Sequence, residues 1–184
     1  GGIHFTRQVF CSHPDRAIVV RLTADRQGAL ACTARLETPH AEAQVGVVAK
    51  DQLLLSGRVE MDGIRFAARL ATAVGEGAVN ATSAGIAVTG ATEVVLYLTA
   101  ASSYVDYRDI SAAPEERCRA CLDGLVTRSY RDVEADHVAD HQALFRRVRL
   151  DLGTGDMARL PTVDRLAHDA REEDAQLAAL YFQF

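Results

Sequence analysis

The chain has 184 residues, of which 48% are apolar and 24% are charged. This balance excludes a disordered chain and is sufficient for one domain with a packed core. The formal net charge of -5 argues against nucleic acid as a partner. The longest apolar runs, such as Val94–Leu98, are far too short to cross a membrane.

Residues 1–100 show the alternating pattern of β-strands. In residues 64–72 apolar side chains occupy every second position, while Arg65 and Arg69 point to the other face. Such alternation predicts a strand that is buried on one face only. Glycine-containing turns separate the apolar runs, and no helical insert interrupts them. We therefore predict part of an antiparallel β-sandwich.

Beyond residue 100 the apolar period becomes helical. Pro114 suits a first helical turn, and Ser129 with Asp132 resembles a capping box. Further helices are predicted from Pro161-Thr162 and over Glu173–Phe184. The helix behind the capping box is predicted to bury a stripe at spacings of three, four and seven: Val133, His137, Leu144, Phe145 and Val148.

The predicted fold class is therefore mixed, a partial antiparallel β-sandwich followed by linker helices. The domain prediction is a sandwich part over residues 1–100, a helical linker over 101–170 and the start of a further helix over 171–184. Three of the last four residues are aromatic, and no helix stop signal follows Tyr181. We expect this last helix to continue into a core outside the 184 residues.

Two spacings resemble metal sites. His137 and His141 lie one helical turn apart, as in zinc proteases, but Val138 stands where the catalytic Glu of that motif is needed. Cys118 and Cys121 have metal-ligand spacing without a second pair. Ordinary helix-face packing is the favoured interpretation of both. No metal, cofactor, serine nucleophile elbow or phosphate-binding glycine loop is predicted.

A polar, tyrosine-bearing loop joins the two halves of the chain and contains the candidate site residues Tyr104, Asp106, Arg108 and Asp109. Paired carboxylates are the usual tool of glycoside hydrolysis, but spacing cannot choose two among 25 acidic residues. We expect this loop to make a contact between domains or at a substrate entrance. The alternative is a well hydrogen-bonded crossover loop without a further role.

Several stretches together resemble glycoside hydrolase family 95, the α-L-fucosidase family. They follow the order of that family and cover nearly the whole chain: Phe5–Leu22, Arg65–Leu70, Ser103–Ile110, His137–Gly153 and Leu160–Phe184. The resemblance implies a β-sandwich domain, a helical linker and an (α/α)6 catalytic barrel. It also implies inverting hydrolysis of terminal α-L-fucosyl residues, 1,2-linked in the enzymes resembled.

By this resemblance residues 1–100 are part of the sandwich, 101–170 are the linker and 171–184 open the first barrel helix. The catalytic acids would then lie beyond Phe184, so no catalytic residue is assigned. The segment alone is expected to be inactive and to meet its carbohydrate substrate only through the barrel.

A bacterial source is expected, and the compartment stays open, although a periplasmic or secreted location fits bacterial members. Two alternative functions remain from the sequence. The chain could be a carbohydrate-binding sandwich module, or it could be the N-terminal domain of a related disaccharide phosphorylase.

Overall fold

The computed structural model describes residues 2–168 and 174–183. In these residues the strands come first: β1 Phe5–Ser12, β2 Ala17–Ala24, β3 Leu30–Ala34, β4 Gln44–Ala49, β5 Gln52–Arg58, β6 Arg65–Val74, β7 Ala78–Thr82, β8 Gly85–Ala91 and β9 Glu93–Ser102. The helices follow: α1 Pro114–Leu125, α2 Tyr130–Phe145, a short 3-10 helix Asp156–Arg159, α3 Thr162–His168 and α4 Ala175–Gln183.

The strands form two antiparallel sheets. Six strands pair in the order β1-β2-β9-β6-β5-β4, and three pair in the order β3-β8-β7. A core cluster combines apolar side chains from the two sheets, among them Leu53, Leu70 and Val94 of the larger sheet and Ile86 and Val88 of the smaller one. The prediction of antiparallel β structure in a sandwich, followed by helices, is confirmed.

The prediction that the strand over residues 64–72 is buried on one face only is wrong. Phe66 and Leu70 do face away from Arg65, but Ala67 and Ala71 on the arginine side are each 2% exposed. The reason is α1, which packs on the outer face of β6 and β9. Small alanines between long arginines let this helix approach the sheet closely.

Helix α1 begins at Pro114, as predicted, and buries Cys118, Leu122 and Leu125. A second core cluster forms on this face of the large sheet, where Leu122 and Leu125 join Val19, Val95 and Tyr97. The large sheet is therefore sandwiched between the small sheet on one side and helix on the other.

The first turn of α2 also belongs to this second cluster, but the predicted stripe does not run along the whole helix. Val133 is fully buried and His137 stacks on Phe10, with ring centroids 4.6 Å apart. Leu144, by contrast, is 57% exposed, and Val148 lies beyond the end of α2 and is 54% exposed. The predicted burial thus holds fully for Val133 and in part for His137 and Phe145, which are half-buried, while Leu144 and Val148 are exposed.

Ser129 caps the start of α2 as predicted, but the capping box is only half formed. The backbone N–H of Asp132 donates to the Ser129 hydroxyl at 3.2 Å, and that hydroxyl donates to the Asp132 carboxylate at 2.7 Å. The return bond of a usual box goes to the backbone N–H of the capping residue. The shorter aspartate side chain bonds the hydroxyl instead.

A half-buried polar network ties α2 to the sheet. The Tyr130 hydroxyl donates to Glu134 at 2.9 Å, and the Arg21 guanidinium lies over the Tyr130 ring, 4.8 Å from its centroid. Arg21 also pairs with Glu93 on β9. Burial, reinforced by the hydrogen bond to Glu134, raises the pKa of Tyr130 to about 12.

This pKa predicts destabilisation at high pH. An unfolded tyrosine ionises near 10, so the folded state prefers the neutral phenol, and the free energy of unfolding should fall as the pH rises from about 10 to about 12. Burial also raises the pKa of Tyr97, so Tyr130→Phe should reduce this fall without abolishing it. Urea unfolding at several alkaline pH values measures the effect. Tyr107→Phe is the control, because the Tyr107 side chain is 80% exposed, and it should keep the wild-type dependence of stability on pH. If Tyr130→Phe also keeps that wild-type dependence, the prediction is wrong.

The chain divides into two compact units, residues 1–137 and 138–184. In the second unit the guanidinium of Arg165 on α3 forms two bonds to the Asp174 carboxylate, at 2.8 and 2.9 Å. Asp174 also caps α4 by accepting from the Leu177 N–H at 2.9 Å. The predicted helix start at Pro161-Thr162 is confirmed, and the predicted last helix begins by Ala175, while Glu173 and Phe184 lie outside the described residues.

No helix in residues 2–168 and 174–183 has the length and apolar character needed to cross a membrane.

Candidate functional site

The candidate site is the loop that leaves β9 and leads into α1, in the first unit. Asp106 and Asp109 pair across it as an isolated antiparallel bridge. The Asp109 carbonyl accepts from the N–H groups of Val105 and Asp106 at 2.9 and 3.1 Å. The four candidates Tyr104, Asp106, Arg108 and Asp109 are therefore brought together in one tight turn.

Two arginines outside the turn hold it in place. Arg117 of α1 donates through one nitrogen to the carbonyls of Ser102 and Tyr104, at 2.9 and 2.8 Å. Arg65 of β6 donates to the carbonyl of Ala112 at 2.9 Å. Three backbone carbonyls of the loop and its first flanking residue thus accept from charged donors, which favours one fixed conformation of the loop.

The two loop carboxylates serve the loop itself. Asp106 accepts from the Arg108 N–H at 2.8 Å, and Asp109 accepts from the Ser111 N–H at 2.8 Å. The hydroxyl and backbone N–H of Ser111 lower the pKa of Asp109. A general acid in glycoside hydrolysis needs a raised pKa, so Asp109 is tuned in the wrong direction for that role.

What the loop presents outward is apolar and aromatic. Tyr107 is 80% exposed and Tyr104 is 47% exposed, and Val105 and Ile110 are exposed beside them. The Arg108 guanidinium lies over the Tyr107 ring, 4.8 Å from its centroid. Exposed rings on a rigid loop suit a contact surface, because they bury much area at little cost in conformational entropy.

The two metal-like spacings fall on helices, as predicted. Cys118 is buried and its thiol donates to the Ala67 carbonyl at 3.4 Å, while burial raises its pKa. His137 stacks on Phe10, and His141 stacks on Phe145 with centroids 5.1 Å apart. Within the described part of the chain no three His, Cys, Asp or Glu side chains converge as a metal site.

Sequence reasoning missed the residues that support the loop. Arg65 lies 47 positions before Ala112, and no local pattern links such distant residues. The ion pair of Arg165 with Asp174 was also missed, although an aspartate directly before an apolar helical run is a recognisable capping signal.

Comparisons with known proteins define the class. Residues 1–107 match the model described as "Glycosyl hydrolase family 65, N-terminal domain", and residues 129–184 match the "Glycosyl hydrolase family 95 catalytic domain". Both matches are to domain types of glycosyl hydrolases. More specifically, the chain belongs to the glycosyl hydrolase family 65 N-terminal domain family through its first 107 residues, and the match of residues 129–184 confirms the predicted resemblance to family 95.

A curated relative agrees with this assignment. "Alpha-L-fucosidase 2" from Arabidopsis thaliana is 25% identical over 217 aligned residues, which cover 100% of this chain and 26% of the plant protein. The chain thus spans about a quarter of the length of the curated relative that it matches.

Proposed function

We propose that this chain is the non-catalytic sandwich and linker segment of a glycoside hydrolase that removes terminal α-L-fucosyl residues from glycans. The observation that carries the proposal is the order of the two family matches, with the family 65 N-terminal domain type directly before the start of the family 95 catalytic domain type. The fucosidase relative, aligned over the whole chain, supports the choice of sugar. Inverting chemistry, 1,2-linkage and a bacterial source are finer parts of the same proposal.

Within this proposal the loop at residues 103–112 contacts the catalytic domain. Its position supports the assignment, because the loop begins in the last residues of the stretch that matches the first family model and leads toward the stretch that matches the second. Its chemistry agrees, since both loop carboxylates are engaged by backbone N–H groups while the tyrosines remain exposed. A substrate-entrance role is the alternative use of the same surface.

The first test is enzymatic. We expect the 184-residue chain to show no turnover of an α-1,2-fucosyl oligosaccharide such as 2′-fucosyllactose, while the whole polypeptide that carries it releases fucose. The physical reason is that inversion needs two carboxyl groups roughly 6.5–9.5 Å apart across a water. Turnover by the isolated chain would overturn the non-catalytic role. Strict dependence of the whole enzyme on inorganic phosphate would favour the phosphorylase alternative, for which the family 65 match is the supporting observation.

The second test concerns the loop. In the whole enzyme, Tyr104→Ser with Tyr107→Ser should lower the melting temperature, because two rings that bury area against the catalytic domain are lost. The same pair of changes should leave the melting temperature of the isolated chain nearly unchanged, since both rings are exposed there. Val47→Ser, an exposed position on β4, is the control for general surface effects. A raised KM without a change in melting temperature would instead place the loop at the substrate entrance.

A further inference from the structure

A groove of about 440 Å³ lies at the end of the sandwich where the β4–β5 turn meets β6 and β7. Four polar side chains line it, namely Lys50, Asp51, Gln52 and Thr72, and valines such as Val79 add apolar wall. None of these residues belongs to the loop described above, and neither family match assigns them a role.

The backbone holds this groove in a defined shape. The Asp51 carbonyl accepts from the N–H of Thr72 on β6, and the Lys50 carbonyl accepts from the N–H of Ala81 on β7, both at 3.0 Å. The turn is therefore bonded to the large sheet and to the small sheet at once. The backbone of the turn is therefore already fixed before a ligand binds. Because a ligand does not have to order it, the entropic cost of binding is lower.

Thr72 provides an independent observation. The residue is 5% exposed, and its hydroxyl is a buried side-chain polar atom without a hydrogen-bond partner within the described residues. Folding normally provides a partner for such a group, so an orphaned hydroxyl requires an explanation. Because no hydrogen bond holds it, rotation about χ1 could turn it toward a ligand in the groove without breaking one.

The other polar groups are free to bind. In the described part of the chain, neither the Lys50 ammonium nor the Asp51 carboxylate has a hydrogen bond or an ion pair. The Gln52 amide oxygen accepts from Arg69 at 2.8 and 3.2 Å, which orients the amide and leaves its NH2 group to donate.

We propose that this groove binds a neutral sugar. The two unpaired charges are opposite, so the groove as a whole favours an uncharged ligand. A sugar hydroxyl both donates and accepts, and adjacent hydroxyls match a set that combines donors on Lys50 and Gln52, an acceptor on Asp51 and the Thr72 hydroxyl. The apolar wall at Val79 faces the C–H groups of a sugar ring. Without an aromatic ring to stack on, the affinity should be weak, in the millimolar range.

The choice of sugar rests on the proposed function, and the probes are accordingly L-fucose and 2′-fucosyllactose. Lys50 is the sole lysine, so reductive methylation with carbon-13 labels one lysine, which lies in the groove, and otherwise only the N-terminal amine of the full 184-residue chain. The dimethylated Lys50 keeps its positive charge and one N–H donor. We expect a saturable shift of the Lys50 signal with one or both sugars. Glycerol at the same concentration should leave the signal in place.

Variants test the named groups. Asp51→Asn and Thr72→Val should each weaken the sugar about tenfold, the effect of losing roughly 1.4 kcal/mol of hydrogen bonding. Thr72→Ser, which keeps the hydroxyl, should bind like the wild type. Glu42→Gln, which lies in a different surface groove, is the matched control and should not change the titration. Thr72→Val should also raise the melting temperature of the unliganded chain, because an orphaned hydroxyl is removed, so that weaker binding cannot be attributed to unfolding.

Absence of a saturable shift with either sugar would overturn the proposal, as would equal affinities for wild type, Asp51→Asn and Thr72→Val. An equal response to glycerol would also overturn it, by reducing the site to one for any polyol. The result is separable from the proposed function, because that function is measured by fucose release from the whole enzyme. If the whole enzyme releases fucose but the groove binds neither sugar, the groove proposal is wrong and the proposed function stands.

Discussion

Replacing Leu122 with alanine should lower the free energy of unfolding by about 2–5 kcal/mol, the usual cost of truncating a buried leucine. Leu122 is 1% exposed and joins the core cluster on the outer face of the large sheet. The cavity left between α1 and the sheet cannot collapse, because strands on one side and a hydrogen-bonded helix on the other resist movement. Urea unfolding followed by far-ultraviolet circular dichroism gives the difference.

Val47→Ala is the control for Leu122→Ala, because Val47 lies in the same unit and is half exposed. It should change stability by well under half as much. If the two variants lose similar free energy, α1 does not form a core with the sheet. The outcome matters for function, since α1 also carries Arg117, which holds the candidate loop.

Gly77→Ala should destabilise the sandwich by at least about 2 kcal/mol, through two effects at one position. Gly77 has φ +105, a conformation that side chains with a Cβ rarely adopt. A Cβ placed there would also lie 2.5 Å from the carbonyl oxygen of Thr89 on β8. Backbone cannot yield as a flexible side chain would, so the turn into β7 must shift.

Gly75→Ala is a matched control two residues away. A Cβ at Gly75 meets nothing within 4 Å, and its φ is not in the left-handed region. This variant should be close to neutral or slightly stabilising, because alanine reduces the freedom of the unfolded chain. Equal losses in Gly77→Ala and Gly75→Ala would show that flexibility, and not the conformation of Gly77, sets the stability of this turn.

The two stability predictions concern different parts of the molecule with proposed functions. The Leu122→Ala variant tests the packing of α1, the helix that holds the loop proposed to contact the catalytic domain. Gly77 lines the groove proposed to bind sugar, and its turn leads into the strand that bonds the Lys50 carbonyl. A stable Gly77→Ala variant with altered sugar binding would therefore locate its effect in the groove.

The candidate loop shows where prediction from sequence succeeded and where it stopped. Its composition singled out Asp106 and Asp109, and the structure places both in one turn. Their use, however, depends on which N–H groups lie within reach, and these belong to Arg108 and Ser111. The sequence position of a carboxylate does not show whether it accepts hydrogen bonds from the backbone of its own turn or is available to bind a ligand.

The alternating and helical periods by themselves determined the order of strands and helices, the start of α1 at Pro114 and the capping of α2 by Ser129, because these depend on neighbours within a few residues. Together with the family motifs they also determined the class of protein. Only the tertiary structure decided that Ala67 and Ala71 lie beneath a helix and that Arg65 and Arg117 hold the candidate loop. It also decided that the Thr72 hydroxyl has no hydrogen-bond partner among the residues that the structure describes. Each of these depends on groups distant in the chain, and a local pattern has no information about which distant group will be adjacent after folding.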